Sequence, residues 1–342
     1  MTAHSAGFLF CFALSVIACS DDAVTSSTGN STSASTGGGV CCTGTGTGTG
    51  AAGAGGQHEG GSAQGGNGTG GAPCPLCAEP VELSPPQNGN IQEASGLAAS
   101  ANHAGIYYVH NDSGDSARFF AITENGADNG TFNVSNAAAI DWEDMERGPC
   151  ADKQKSCLYF GDIGDNNEAR SDYVVYRVEE PAKVGPGTSS LTAEALPFAY
   201  PDGSHNAEAL MVHPTTGELY IVTKKMGDAK LYQFPEPLDG SSRATLVLRG
   251  SVNVPGIVSL ATSAAFRPGG GGVILRTYTS VWYYPIANGQ SVADSLAAVP
   301  CDLPAPSEGQ GESVTFAPDG HSYRTISEGN NEPLFKVDCS PR

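Results

Sequence analysis

The strongest constraint on this chain is a short motif that recurs five times. A polar or acidic residue, a small residue and an aliphatic residue stand together at Ser95-Gly96-Leu97, Glu143-Asp144-Met145, Glu208-Ala209-Leu210, Thr262-Ser263-Ala264 and Glu312-Ser313-Val314. The last three continue alike, as Val212-His213-Pro214, Phe266-Arg267-Pro268 and Phe316-Ala317-Pro318. Their first positions lie 48, 65, 54 and 50 residues apart. A period of about 50 residues marks a supersecondary unit that cannot bury its apolar face alone and stacks on copies of itself.

Two further segments follow each motif. The first reads Gly105-Ile106-Tyr107-Tyr108-Val109, Cys157-Leu158-Tyr159-Phe160, Glu218-Leu219-Tyr220-Ile221, Gly272-Val273-Ile274-Leu275 and Ser322-Tyr323-Arg324. The second reads Phe119-Phe120-Ala121-Ile122, Tyr173-Val174-Val175-Tyr176, Lys230-Leu231-Tyr232, Val281-Trp282-Tyr283-Tyr284 and Leu334-Phe335-Lys336-Val337. Short aromatic and β-branched runs between Gly, Pro and Asp turns are strands and hairpins. Thr131–Val134, Leu196–Tyr200 and Leu246–Val252 supply fourth strands, and only Ser291–Ala298 suits a helical turn or two. Four-stranded units arranged radially make an all-β propeller. Five blades are expected, with six as the alternative if the 65-residue interval holds a further one, and a two-sheet sandwich as the competing fold. Val81-Glu82-Leu83 is expected to close the ring as the outer strand of the last blade.

The chain before this domain has a different character. Phe8–Ala18 is an apolar run too short to span a bilayer, and it ends in Val16-Ile17-Ala18-Cys19. That pattern suits a signal peptide over residues 1–18, cleaved at a lipobox so that Cys19 carries lipid, although Met1–Gly7 lacks the usual basic residue. Residues 19–78 are expected to form a disordered Gly/Ser/Thr-rich tether, with almost nothing apolar to offset the entropy of ordering. A flexible coil of this kind spans roughly 40 Å. The propeller is assigned to residues 79–342. The partner implied at this end is the membrane, through the lipid anchor, in an exported, envelope-anchored or secreted protein.

Ten cysteines fit export. Setting aside Cys11 and Cys19 leaves an even number, which favours disulfides in an oxidising compartment. Cys150 and Cys157 bracket a polar six-residue turn and are expected to form a hairpin staple. Cys74-Pro-Leu-Cys77 has CxxC spacing, but no second CxxC follows, so structural pairing is favoured over redox chemistry or zinc. The formal charge of −19 excludes nucleic acid as a partner, because phosphates would be repelled.

In a propeller the inner strands line a central channel, and side chains two apart on a strand share a direction. Glu93 with Ser95, Asp141 with Glu143, Asn206 with Glu208, and Gln310 with Glu312 are therefore expected at one channel mouth. Glu143, Glu208 and Glu312 are the expected metal ligands, and Glu93, Asp112, Asp141, Asp162, Asp165 and Asn206 the expected ligand-binding residues. Crowded carboxylates repel unless cations or protons compensate. Loops rich in Asp, Asn and Gly, at His110–Asp115, Gly161–Asn167, Gly227-Asp228 and Glu328–Asn331, belong to the same face. Hard oxygens on tight turns suit Ca²⁺, although these residues also favour turns for conformational reasons alone. His110 and His205 are the candidate acid/base histidines; no nucleophile elbow, P-loop or HExxH occurs.

The stretches Ser95–Leu97, His110–Asp115, Asp141–Met145, Gly161–Asn166 and Ala207–Leu210 resemble those of a group of bacterial secreted propeller proteins. The resemblance extends more distantly to phytase-like and gluconolactonase-like propellers. The gluconolactonase likeness implies a divalent metal held by Glu, Asn and Asp at the channel and hydrolysis of an ester, with Glu143, Glu208 and Glu312 at the matching positions. Two functions follow: a surface-tethered binding module with a cation site at its acidic mouth, or a metal-dependent hydrolase of phosphate or lactone esters.

Overall fold

In the computed structural model, which describes residues 73–340, each copy of the motif is the innermost strand of a blade. The signal peptide, Cys19 and the tether up to residue 72 lie outside the described residues. The first strands are β1 (Leu76–Cys77) and β2 (Val81–Glu82). Blade 1 comprises β3 (Ala94–Ala99), β4 (Ile106–Asn111), β5 (Arg118–Thr123) and β6 (Asp128–Ser135). Blade 2 takes β7 (Trp142–Pro149), β8 (Ser156–Asp162) and β9 (Val174–Glu179), then, after β10 (Thr188–Thr192), β11 (Glu194–Ala199). Blade 3 holds β12 (Ala207–Val212), β13 (Leu219–Thr223) and β14 (Lys230–Gln233), then, after β15 (Ala244–Thr245), β16 (Val247–Ser251). Blade 4 holds β17 (Ala261–Phe266), β18 (Gly272–Thr277), β19 (Val281–Pro285), a short helix α1 (Val292–Ala297) and β20 (Cys301–Leu303). Blade 5 begins with β21 (Gly311–Phe316), β22 (Ser322–Ser327) and β23 (Leu334–Ser340).

The protein is a five-bladed propeller. The long second interval holds no sixth blade; its extra residues form β10, which crosses back to pair in parallel with β6 of blade 1. β15 does the same on a smaller scale, pairing with β11 of blade 2. Ring closure is as expected. β2 pairs with β23, Val81 opposite Lys336, and the Leu83 amide bonds to Leu334 O at 2.8 Å. β1 extends this edge with Cys77 opposite Cys339, so residues 74–77, at the end of the expected tether, belong to the propeller.

Five apolar cores hold the ring, each shared by two neighbouring blades. Phe119, Trp142 and Phe160 join blades 1 and 2; Tyr159, Phe198 and Ile221 join 2 and 3; Met211, Val222 and Leu275 join 3 and 4. Ile274, Tyr283 and Val314 join blades 4 and 5, and Phe120, Val109 and Ile326 join 5 back to 1. Each blade is covered on both sides, which explains the continuous apolar runs such as Leu219–Val222 where a one-sided sheet would alternate. Each fully buried aromatic contributes roughly 1.5–3 kcal/mol.

Three disulfides join the six cysteines of the described residues: Cys150–Cys157, Cys74–Cys301 and Cys77–Cys339. The first closes the β7–β8 hairpin, where the Cys150 amide also bonds to Lys155 O at 3.0 Å. The CxxC pair is structural, tying the first strand to blades 4 and 5. Such bonds belong to an extracytoplasmic protein. No helix among the described residues is long and apolar enough to cross a membrane.

Candidate metal centre at the channel mouth

Every inner strand breaks register with its neighbour at the same place. The irregularity falls between Ala94 and Leu97, Trp142 and Asp144, Ala207 and Ala209, Ala261 and Ser263, and Gly311 and Ser313. A β-bulge inserts one residue and re-aims its side chain. The inserted residues are the motif residues themselves: Glu143, Glu208, Thr262 and Glu312, with Ser95-Gly96 in blade 1.

A second ring stands beside this one, just past the end of the second strand of each blade. It consists of Asp112, Ile163, Lys224, Tyr278 and Glu328. Four of these share one backbone bond: the amides of Asp112, Ile163, Lys224 and Glu328 donate to Glu93 O, Asp141 O, Asn206 O and Gln310 O at 2.8–3.1 Å. The residues expected to reach the channel by two-residue offset thus anchor the second ring through their carbonyls.

Asp112, Asp141 and Glu143 come together, each with one oxygen within 4.8 Å of the others. Asp112 and Asp141 are half-buried and Glu143 is buried. Gly164 lets the next loop lie directly on them, since any side chain there would collide with Glu143 and Asp141. Burial raises the Glu143 carboxyl well above its usual range, and the charges of Glu208, Asp112 and Asp141 raise it further. Asp112 is pushed up to about 7, chiefly by burial, with Asp141, Glu328 and Glu93 adding to it. Burial also raises Asp141, against the pull of Arg170.

Glu208 and Glu312 are placed otherwise. Lys224 Nζ donates to Glu208 Oε1 and, at 2.5 Å, to the Tyr278 hydroxyl. Glu208 Oε2 is buried without a donor. Burial keeps the Glu312 carboxyl well above the usual range, with the charge of Glu208 raising it further and Lys224 opposing. The expected set of Glu143, Glu208 and Glu312 therefore divides: Glu143 joins the aspartates, while Glu208 pairs with Lys224, whose charge also acts on Glu312. Sequence reasoning missed Lys224 and Tyr278, although aligning the repeats one residue past each second strand sets both level with Asp112.

The remaining expected ligands hold loops in place. Asp162 is fully buried, accepts from the amides of Ile140 and Asp141 at 3.2 and 3.1 Å, and pairs with Arg170 at 2.7 Å. Asp165 accepts from the Arg170 amide at 2.7 Å and the Tyr173 hydroxyl at 2.6 Å. Asn206 Oδ1 accepts from the Asp165 amide at 2.7 Å, and Glu93 stands exposed on the rim. His110 is buried edge-on to Trp142 with Nδ1 against Asn111 O at 2.8 Å, and burial lowers it to about 4, so it stays neutral. His205 bonds to Asp202 and the Tyr232 hydroxyl at 3.0 and 2.9 Å.

Below the mouth the same strands form a closed hydrogen-bond circuit. Asp144 accepts from the amides of Leu210 and Ala264 at 2.9 and 3.1 Å and from the Ser263 hydroxyl at 3.0 Å. Ser263 accepts from the Val314 amide at 3.2 Å, Ser313 donates to Ser95 O, and Ser95 donates to Glu143 O. All five blades are joined.

No family model and no curated protein matches the chain. Among solved structures, a gluconolactonase from Xanthomonas campestris is similar at 12% identity and a TM-score of 0.44, over 79% of this chain and 97% of that chain. A luciferin-regenerating enzyme is similar at 10% identity and a TM-score of 0.40, over 76% and 95%. Likeness of this degree bears on neither the ligand nor the chemistry of the mouth.

Proposed function

We propose that this propeller is an exported binding module whose mouth takes one divalent cation at Asp112, Asp141 and Glu143. The observation that carries the reading is the convergence of these three carboxylates, one oxygen of each within 4.8 Å of the others, with Glu143 buried and Gly164 letting the next loop lie against them. An all-oxygen donor set without nitrogen or sulfur suits Ca²⁺, which takes six to eight oxygens at relaxed geometry. In this reading Cys19 carries lipid and the segment after it tethers the propeller to the membrane. Support comes from the cysteine after Val16-Ile17-Ala18 and from the disulfides.

The test is thermal unfolding in Ca²⁺ and in chelator. An ion that binds only the folded state stabilises it by about 2.7 kcal/mol at 100 times its Kd. Asp141→Asn should abolish that gain. A melting temperature indifferent to chelator, and raised by Asp141→Asn, would overturn the reading.

One observation favours a second reading, hydrolysis of a phosphate or lactone ester. Asp112 and Asp141 are half-buried, so an ion held by them would be within reach of a substrate entering the mouth, where it could activate water. Ester turnover that needs Ca²⁺ and is lost in Asp141→Asn would establish it.

A further inference from the structure

We propose that Lys224 is the resident cation of the other half of the mouth, neutralising Glu208 and Glu312 from within, so that the mouth accepts one divalent ion and excludes a second. The inference deepens the cation-site reading and rests on it for the first ion only. Propeller symmetry supplies the comparison inside one molecule. Asp112 follows β4 and Lys224 follows β13 at equivalent places, each amide bonded to the carbonyl two residues before the motif residue of its blade. The same position thus adds an oxygen to the Glu143 half and an ammonium to the Glu208 half.

The ammonium is well held. Its side chain is 12% exposed, it donates to Glu208 Oε1 and the Tyr278 hydroxyl, and it stands 4.7 Å from the centre of the Tyr278 ring. A buried charge persists only when paired and hydrogen-bonded; Glu208 supplies the pairing, and the charge of Glu312 adds to it. Without the ammonium, two buried carboxylates and a phenol oxygen would be left together, which is a donor set for a hard cation. A lysine that occupies this place permanently removes that vacancy. Glu208 Oε2, on the far side of that carboxylate, is buried without a hydrogen-bond partner.

The experiment counts Ca²⁺ per chain by calorimetric titration and equilibrium dialysis of the full chain at pH 8. Wild type should bind one ion, Lys224→Met two, and the Glu208→Gln/Lys224→Met pair one, because it removes both charges together. One ion in both wild type and Lys224→Met would overturn the inference. No ion in wild type but one in Lys224→Met would sink the cation-site reading while upholding the role of the lysine; none in either would end both. If Lys224→Met unfolds without ions, Ca²⁺ should restore its cooperative melting, and failure of that rescue also overturns the inference.

Discussion

Glu143 and Asp144 are neighbours on one strand, both buried, yet they meet opposite surroundings. Asp144 accepts from the amides of Leu210, Ala264 and Met145 and from the Ser263 hydroxyl, so inner strands of three blades converge on one carboxyl. Glu143 meets the charges of Glu208, Asp112 and Asp141. The channel therefore has a lower part in which polar atoms satisfy one another and an upper part in which carboxylates crowd. The contrast separates structure from function. A buried carboxyl surrounded by donors is a strut between blades, while buried carboxyls facing each other repel unless a cation or a proton compensates.

The largest expected effect breaks the lower part. Asp144→Ala leaves several buried donors unpaired, each a penalty of about 1–3 kcal/mol, so chemical denaturation should show a loss of about 4 kcal/mol. Ca²⁺ should restore none of it beyond the wild-type increment. A loss below about 1 kcal/mol would mean that the circuit does not brace the ring.

The second effect concerns the upper part and pH. Asp112 in the folded protein is pushed up to about 7, against about 3.9 in an unfolded chain. An acid raised in this way stabilises the fold fully below its unfolded value, and that contribution is lost as pH rises through 7. The ion-free protein should therefore melt lower at pH 8 than at pH 5, by about 2 kcal/mol after allowance for solvent screening. In Ca²⁺ the fall should flatten, because the ion replaces the protons. Parallel profiles with and without Ca²⁺ would contradict a cation site here.

The smallest effect is expected on the rim. Glu93 is exposed and adds only to the repulsion on Asp112 and Glu328. Glu93→Gln should change stability by no more than about 0.5 kcal/mol, stabilising in chelator. A larger loss of Ca²⁺ affinity than in Asp141→Asn would move the centre of the site outward to the rim.

Much of this is legible in the sequence. The polar-small-aliphatic motif marks inner strands because a narrow axis admits small residues and the blades on either side require apolar ones. Val81-Glu82 reads as the closing strand because blade 5 otherwise lacks an outer edge. Period-two alternation, however, assumes an unbroken strand, and the bulge at Glu143 violates it. Glu143 and Asp144 consequently both serve the channel, while the side chain of Asn206 turns to the loop at Asp165. Lys224 escaped notice for a different reason. It follows Leu219–Thr223, where Lys224-Lys225 before Met226-Gly227-Asp228 looks like an ordinary hairpin turn, and only the repeat alignment sets it beside Asp112.

The way the ring closes also dictates an order of events. β2 stands near the start of the described residues, and its partner β23 stands at their end. In an extracytoplasmic protein folding proceeds where the disulfides form, so the closing strand waits until β23 has followed it there. During that interval four blades can stack while both ends of the arc present unpaired strand edges, the condition in which β-proteins join to one another. Cys74 and Cys77 wait as well, since Cys301 and Cys339 arrive only with the final blades. For this molecule, the seam is where birth is most hazardous.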